Sequence, residues 1–285
     1  MLQSLLFLFK NPYNRKYPIF ALKRFVEWKI IKLFKLSNYK KTIWENRKIF
    51  LNHDSFQCMW LMYNWMVDWE EFNLIKDFVN AKSCCLDVGA NMGFYTIWFS
   101  KFTNDIYAFE PNSKNYLRLN KNVFANNANE YIRTFNIAVG DLNGEVSFTT
   151  NLDGENHISL KHIEENNTVD CKRLDTILSE NMIAEVSYLK IDVEGFELEV
   201  LKGLGKYIAE KKIAIIQIEI NKTISNSGSS VQHLLEFISN NDLQLCSYSV
   251  MEKQLKIELY YKERENYFLV FDINAVNEKI FQSPK

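Results

Sequence analysis

From residue 70 onward, the sequence alternates between short, almost continuously apolar runs and longer amphipathic stretches. Strands are predicted at residues 84–88, 105–110, 132–139, 186–193, 213–220, 243–250 and 267–272. Helices are predicted at residues 70–79, 92–101, 113–126, 196–211 and 231–240. Strands that are apolar throughout are buried on both faces, so the pattern predicts an α/β fold with a mostly parallel sheet between helices. No helix separates the last two strands, so one of them is expected to be antiparallel.

Charge is distributed unevenly along the chain. The 285 residues have a net charge of −1, yet the first 48 contain twelve Lys and Arg and only two acidic residues. We therefore predict two regions: a basic, helical N-terminal extension over residues 1–69 and an α/β domain over residues 70–285. Short additional strands are expected at residues 145–150 and 168–174 within the second region.

Residues 17–36 are predicted to form a basic amphipathic helix. Phe20, Phe25, Trp28, Ile31 and Phe34 recur at roughly helical spacing, and lysines occupy much of the remainder. Two interpretations are open: the helix packs on its own domain, or it lies on an anionic membrane surface. No run of about 18 apolar residues occurs, so no membrane-spanning helix is expected.

The five cysteines show no regular spacing. Cys84 and Cys85 are adjacent within an apolar run, which is typical of packing residues in a reducing compartment rather than of a disulfide or zinc framework. We therefore expect a cytoplasmic protein, with the inner membrane face as the place where residues 17–36 would act.

The segment CCLDVGANMGFYT joins a predicted strand to a predicted helix. Gly89 allows a sharp turn, and Gly93 lets the start of the helix approach the strand or a ligand. The helix also presents free backbone N–H groups at its N-terminus. Alone, the two glycines are equally consistent with a simple turn and with a ligand site.

Glu110 strengthens the case for a ligand site. It ends the next strand, 23 residues after Asp87, where an acid can accept hydrogen bonds from both hydroxyls of a ribose. The two elements together indicate a cofactor that contains adenosine. The G-x-x-x-G spacing favours S-adenosylmethionine over NAD, because a pyrophosphate requires the G-x-G-x-x-G arrangement.

Acidic residues follow two of the later strands. Asp192 and Glu194 come at the end of the strand that contains YLKIDV, and Glu219 and Asn221 lie at the end of the next strand, IAIIQIEI. Such acids can serve as a general base, as metal ligands or as acceptors for a cofactor amine. The polar loops at residues 151–167, which include His157, and 221–230 also follow strands, where ligands of open sheets bind.

Several segments together resemble the FkbM-type S-adenosylmethionine-dependent methyltransferases: LDVGANMGFYT, YAFEPNSKNYLRLNKNV, LDTIL, LKIDVEGFELEVLKG and IEIN. The resemblance covers about residues 77–221. It implies the seven-stranded class I methyltransferase fold, which is Rossmann-like, with an antiparallel last strand. It also implies a cofactor site in which Asp87, Gly89, Asn91 and Gly93 line the methionine and ribose side, Glu110 holds the ribose hydroxyls, and Asp141 lies beside the adenine. Asp192 and Glu194 would lie at the methyl-transfer site.

The resemblance implies methylation of a hydroxyl oxygen. The favoured acceptor is a sugar of a surface polysaccharide, a glycolipid, or a nucleotide- or lipid-linked precursor; the alternative is a small secondary metabolite such as a polyketide. A nucleic-acid substrate is less favoured, because the rest of the chain is acidic and no RNA-binding motif occurs. Asp192 or Glu194 is the first candidate for the general base, and His157 is the second. A divalent ion held by Asp192 and Glu219 is an alternative that the sequence does not decide.

Overall fold

The computed structural model describes residues 8–66, 68–147, 168–220, 223–224, 228–259, 261–262 and 266–282. The chain divides into two compact units, Met1–Asn73 and Leu74–Lys285. Within the described ranges, every helix is too short or too polar to cross a membrane.

The first unit combines helices with a β-hairpin. Its elements are α1 (Pro12–Lys16), α2 (Pro18–Leu33), β1 (Tyr39–Ile43), β2 (Arg47–Leu51) and α3 (Phe56–Asn64). The predicted helix over residues 17–36 is therefore present as α2, which starts at a proline. The sequence analysis did not predict the β-hairpin in this extension, in which β1 and β2 pair antiparallel. Ile49 and Leu51 are buried at alternate positions of β2, which is the period of a strand.

Helix α2 packs on its own unit through one face. Phe25, Trp28 and Ile31 are buried as the sequence pattern predicts, whereas Phe20 and Phe34 remain 38% and 66% exposed. Arg24 is also buried, and it donates hydrogen bonds to the Asn14 side chain and to a backbone carbonyl. Burial lowers the pKa of its guanidinium to about 10.

The second unit is built on an eight-stranded sheet. Its strands are β3 (Cys84–Val88), β4 (Asp105–Phe109), β5 (Ile132–Phe135), β9 (Val186–Ile191), β10 (Ile213–Glu219), β11 (Gln244–Ser249), β12 (Gln254–Ile257) and β13 (Asn266–Val270). They lie in the order β12-β11-β13-β10-β9-β3-β4-β5, and the run from β10 to β5 is parallel. Strand β13 is antiparallel to β10. The mostly parallel sheet with an antiparallel last strand is confirmed.

The edge strand β12 is an eighth strand that the sequence pattern did not predict. It pairs antiparallel with β11. Leu255 is its only buried residue, so it lacks the apolar run that marks the other strands.

A separate three-stranded sheet contains β6 (Ala138–Gly140), β7 (Gly144–Ser147) and β8 (Thr168–Arg173), in the order β6-β8-β7. The predicted strand over residues 132–139 is therefore two strands in two sheets. The Asn136 amide explains the break, because it donates hydrogen bonds to the backbone carbonyls of Glu110 and Pro111 at 2.8 and 3.0 Å. The two added strands that the sequence predicts are β7 and β8.

The second unit also contains the helices α5 (Phe94–Phe99), α6 (Ser113–Ala125), α7 (Leu174–Glu180), α8 (Glu197–Lys202), α9 (Lys206–Ala209), α10 (Val231–Asn240) and α11 (Ile273–Gln282). Helix α4 (Trp69–Phe78) spans the boundary between the two units along the sequence. The predicted helix over residues 196–211 is two helices, because Gly205 has a φ of +44° between them. Five parallel strands end at one edge of the sheet, and this arrangement gathers the predicted site residues there.

Candidate active site

The loop after β3 forms one side of the site. Gly89, Asn91 and Gly93 have φ values of +78°, +50° and +90°. A Cβ atom on Gly89 would lie 1.8 Å from the backbone oxygen of Asp192, so only glycine fits there. The N–H groups of Gly89 and Ala90 both donate to the Phe109 carbonyl, which ties the loop to the end of β4.

Glu110 follows β4 and supports the same loop. Its Oε2 accepts a hydrogen bond from the Asn91 N–H at 2.7 Å, and its Oε1 accepts one from the Asn112 N–H at 2.8 Å. Burial raises the pKa of Glu110 to about 7, although the two backbone donors oppose the increase. A carboxylate has about four lone-pair positions, so two remain for the hydroxyls of a ribose. The donor and acceptor chemistry here fits S-adenosylmethionine.

Asp87 lies beneath the loop with no exposed surface. Its Oδ2 accepts a hydrogen bond from the Thr96 hydroxyl at 2.5 Å. Its Oδ1 has no hydrogen-bond partner among the described residues but lies 3.5 Å from the ammonium of Lys190. Asp87 therefore holds the loop and the following helix in place from below.

Lys190 is one of two residues of the site that the sequence analysis missed. Its side chain is 5% exposed, and its Nζ lies 3.0 Å from Asp192 Oδ2. It also donates a hydrogen bond to the Gly89 carbonyl at 3.1 Å. One ammonium thus contacts Asp87, Gly89 and Asp192. The available signal was a lysine between the apolar residues Leu189 and Ile191 of a buried strand.

Three carboxylates meet at the ends of β9 and β10. Oxygen atoms of Asp192, Glu194 and Glu219 all lie within 4.8 Å of one another. Burial, together with the charges of Asp192 and Glu194, raises the pKa of Glu219 to about 10. Glu219 therefore carries a proton at neutral pH. Among the described residues, this is the group that could hold a divalent cation.

Glu197 fixes the turn that carries this carboxylate cluster. Its Oε1 accepts hydrogen bonds from the N–H groups of Val193 and Gly195 at 3.2 and 3.1 Å. Its side chain is buried, which raises its pKa to about 7. Glu194 has a φ of +53°, and Gly195 has a φ of +108°. Glu197, whose carboxylate accepts hydrogen bonds from the backbone of the turn, is therefore a second residue of the site that spacing alone did not identify.

The structure joins most of the predicted residues but not all. Asp87, Gly89, Asn91, Glu110 and Asp192 are linked through the contacts above. Gly93 caps α5, with Leu119 against its Cα.

Asp141 follows β6 in the small sheet. Its backbone carbonyl accepts a hydrogen bond from Arg173 at 2.8 Å. No hydrogen bond in the described part of the chain links it to Asn91 or Glu110, so its place beside the adenine stays a prediction. His157 and Asn221 lie outside the described residues.

Comparisons with known proteins identify the family. Residues 87–249, more than half of the chain, match the model of the methyltransferase FkbM domain. The hexuronic acid methyltransferase AglP from Haloferax volcanii is 24% identical over 185 residues, which are 62% of this chain and 76% of that protein.

Two solved structures are also similar. The FkbM methyltransferase from Methylobacillus flagellatus has 16% identity and a TM-score of 0.45, and the match covers 66% of this chain but 43% of that one. TrmK from M. capricolum, solved with S-adenosylhomocysteine, has 16% identity and a TM-score of 0.40, with 70% and 66% covered. On the match to the family model, the chain belongs to the FkbM family of S-adenosylmethionine-dependent methyltransferases.

Proposed function

We propose that this protein transfers a methyl group from S-adenosylmethionine to a hydroxyl of a sugar. The observation that carries the proposal is the carboxylate cluster of Asp192, Glu194 and Glu219, which adjoins the cofactor loop through Gly89. A hydroxyl must lose its proton as its oxygen gains a methyl group, so a carboxylate beside the methyl donor is the group that this chemistry needs.

The cofactor, when bound, supplies a methyl group on a positively charged sulfur. Glu110 would accept hydrogen bonds from the ribose hydroxyls, and the loop from Gly89 to Gly93 would line the methionine and ribose side. Asp87 would act from below, by keeping Thr96 and Lys190 in position. Holding the two reacting groups in line is itself a large part of the acceleration in such a transfer.

The carboxylates of the cluster have different capacities as a base. Glu219 is protonated at neutral pH, so it can donate a hydrogen bond but cannot accept the hydroxyl proton. Asp192 is 39% exposed and ion-paired with Lys190 on one oxygen, which leaves lone pairs for the acceptor. We therefore assign Asp192 as the general base, with Glu194 as the alternative and His157 as the third candidate.

A sugar acceptor is supported by the relative from Haloferax volcanii, which is named for a hexuronic acid. The acceptor would belong to a surface polysaccharide, a glycolipid, or a nucleotide- or lipid-linked precursor. A small secondary metabolite of polyketide type is the second candidate, and a nucleic acid is the third. We propose that residues 1–69 form a separate region that positions the acceptor, at the inner face of a membrane where residues 17–36 contact it.

The test is a screen for S-adenosylhomocysteine formation across nucleotide sugars, glycolipids and free metabolites. With the best acceptor, Asp192→Asn is expected to lower turnover by about 10²- to 10⁴-fold, because it removes the base. The affinity for S-adenosylhomocysteine, measured by calorimetry, should change less than threefold. The control is Asp105→Asn, which breaks a surface ion pair with Arg133 and should leave turnover unchanged.

Wild-type turnover by Asp192→Asn would remove Asp192 from the mechanism, and Glu194→Gln would then be tested in the same way. Loss of turnover on addition of a chelator, restored by Mg²⁺, would instead assign the cluster of Asp192, Glu194 and Glu219 to a divalent cation that activates the hydroxyl. A preference for a metabolite or a nucleic acid over every sugar in the screen would contradict the proposed acceptor.

A further inference from the structure

Helix α2 has apolar residues on two opposite faces. The inward face contains Ala21, Phe25, Trp28 and Ile31, all of which are buried. A second set recurs at intervals of three and four residues, and we call it the outer stripe: Ile19, Leu22, Val26, Ile30 and Leu33. At about 100° per residue, the outer stripe spans about 80° and is centred opposite the inward face. Packing of the unit therefore accounts for the inward face alone.

The outer stripe is open to solvent over the length of the helix. Ile19 and Leu33, at its ends, are 72% and 76% exposed, and Val26, in the middle, is 56% exposed. Beside it is a shallow groove of about 510 Å³, whose further lining includes Leu36 and Tyr39. A continuous exposed apolar stripe on a helix is typical of a surface that binds another protein or a membrane.

Positive charge borders this stripe on both sides. Lys23 and Lys29 are exposed and lie on either edge of it. Glu27 is the one acidic residue of α2, and its carboxylate is engaged by the Lys41 ammonium and the Tyr39 hydroxyl. Arg24 is buried and does not contribute to the outer surface. The outer side of α2 therefore combines an apolar stripe with lysines, while its single acid is paired.

We propose that the outer stripe of α2 docks in the plane of an anionic phospholipid surface. Apolar residues along one side of a helix, with lysines on the borders, match what lies at a lipid interface: acyl chains in the centre and anionic headgroups at the edges. The inward face keeps α2 attached to its unit, so the helix can lie on the membrane without unfolding from the protein. This docking does not depend on which acceptor is methylated.

The test is flotation of the full-length chain with two kinds of vesicle. One is phosphatidylcholine alone, and the other contains about 30% phosphatidylglycerol, which supplies negative charge. The wild-type protein is expected to float with the anionic vesicles and not with the neutral ones. The double variant Ile19→Gln with Leu33→Gln removes apolar surface without adding charge, and we expect at least a tenfold weaker binding. Lys23→Gln with Lys29→Gln should weaken it about 30-fold, which corresponds to about 1 kcal/mol for each lysine.

The matched control is Leu117→Gln with Phe124→Gln on α6, because these side chains are 69% and 74% exposed on another helix. The control should bind vesicles as the wild type does. Circular dichroism and the affinity for S-adenosylhomocysteine should be unchanged in every variant, so that a misfolded protein is distinguished from a failure of docking. Equal recovery with neutral vesicles, or equal loss in the control, would overturn the proposal. A dimer by light scattering that only the stripe substitutions dissociate would assign the stripe to a second copy of the chain.

Discussion

The two sides of the proposed active site satisfy their polar groups in opposite ways. On the cofactor side, both oxygens of Glu110 accept backbone N–H groups, and Asp87 is bonded to Thr96. On the acceptor side, Asp192, Glu194 and Glu219 face one another within 4.8 Å, which forces one of them to keep its proton. The first side is stable before any ligand arrives, whereas the second retains electrostatic repulsion that an acceptor or a cation can relieve.

Lys190 contacts both sides through one ammonium, so removing its charge should cause the largest effect. Lys190→Met is expected to lower the free energy of unfolding by about 3 kcal/mol, because the charge of buried Asp87 loses its partner. Turnover should be lost as well. Urea unfolding and the turnover assay measure the two effects, and Lys172→Met, which breaks a surface ion pair with Glu180, is the control.

A double variant separates the two roles of Lys190. Lys190→Met with Asp87→Asn should recover much of the stability, since no buried charge is then left alone, but turnover should remain low because Asp192 still lacks its ion pair. Full turnover in the double variant would show that Lys190 serves only to neutralise Asp87.

Glu110→Gln tests the cofactor side alone, and its effect should be intermediate. The amide can accept only one of the two backbone N–H groups and opposes the other with its NH₂ group, so we expect a 10- to 100-fold loss of affinity for S-adenosylhomocysteine. In the wild type, the affinity should increase as the pH rises through about 7, because the ionised carboxylate is the stronger acceptor.

Calorimetry between pH 5.5 and 8.5 measures both effects. The affinity of Glu110→Gln should not vary with pH over this range, while the exposed control Glu180→Gln should behave as the wild type does. A pH-independent affinity in the wild type would contradict the role of Glu110.

Glu219→Gln tests the acceptor side alone and should have the smallest effect on turnover. In the folded protein, the pKa of Glu219 is about 10, above the usual value near 4.5. Its proton therefore stabilises the fold fully below about pH 4.5, and this contribution is lost as the pH rises towards 10. Gln mimics the protonated acid at every pH, so the variant should gain stability relative to the wild type by up to about 1.4 kcal/mol per pH unit.

Urea unfolding at pH 7.5 and pH 9 measures this difference. If the free energy of unfolding changed equally with pH in the wild type and the variant, Glu219 would already be ionised at neutral pH.

The site could be predicted from the sequence at positions where the backbone geometry or the spacing requires a particular residue type. Gly89 and Gly93 could be identified because glycine is the residue that tolerates their φ values and close contacts. Glu110 could be identified by its spacing from Asp87. Lys190 and Glu197 were missed because their roles arise from burial and from contacts with backbone groups that are distant until the chain folds.

The same limit applies to the fold. Apolar runs identified the central strands, but the switch of sheet after Phe135 depends on the side-chain bonds of Asn136. In α2, the periodic pattern identified a helix but mixed its two faces, because Phe25 and Trp28 are buried while Phe20 is exposed. Periodicity locates a stripe along a helix; only the packed neighbours determine which stripe is covered.

The contact between Gly89 and the backbone of Asp192 has a consequence for how this protein can diversify. A Cβ on Gly89 would lie 1.8 Å from the backbone oxygen of Asp192, so the loop after β3 and the loop after β9 are in direct contact. Neither loop can change at this contact without displacing the other. An insertion or a larger side chain in one loop would displace the other, so mutation here is expected to be purged whatever the acceptor. Adaptation to a new acceptor is therefore expected in segments away from this boundary, and a mutagenesis library aimed at specificity should leave residues 87–93 and 190–195 untouched.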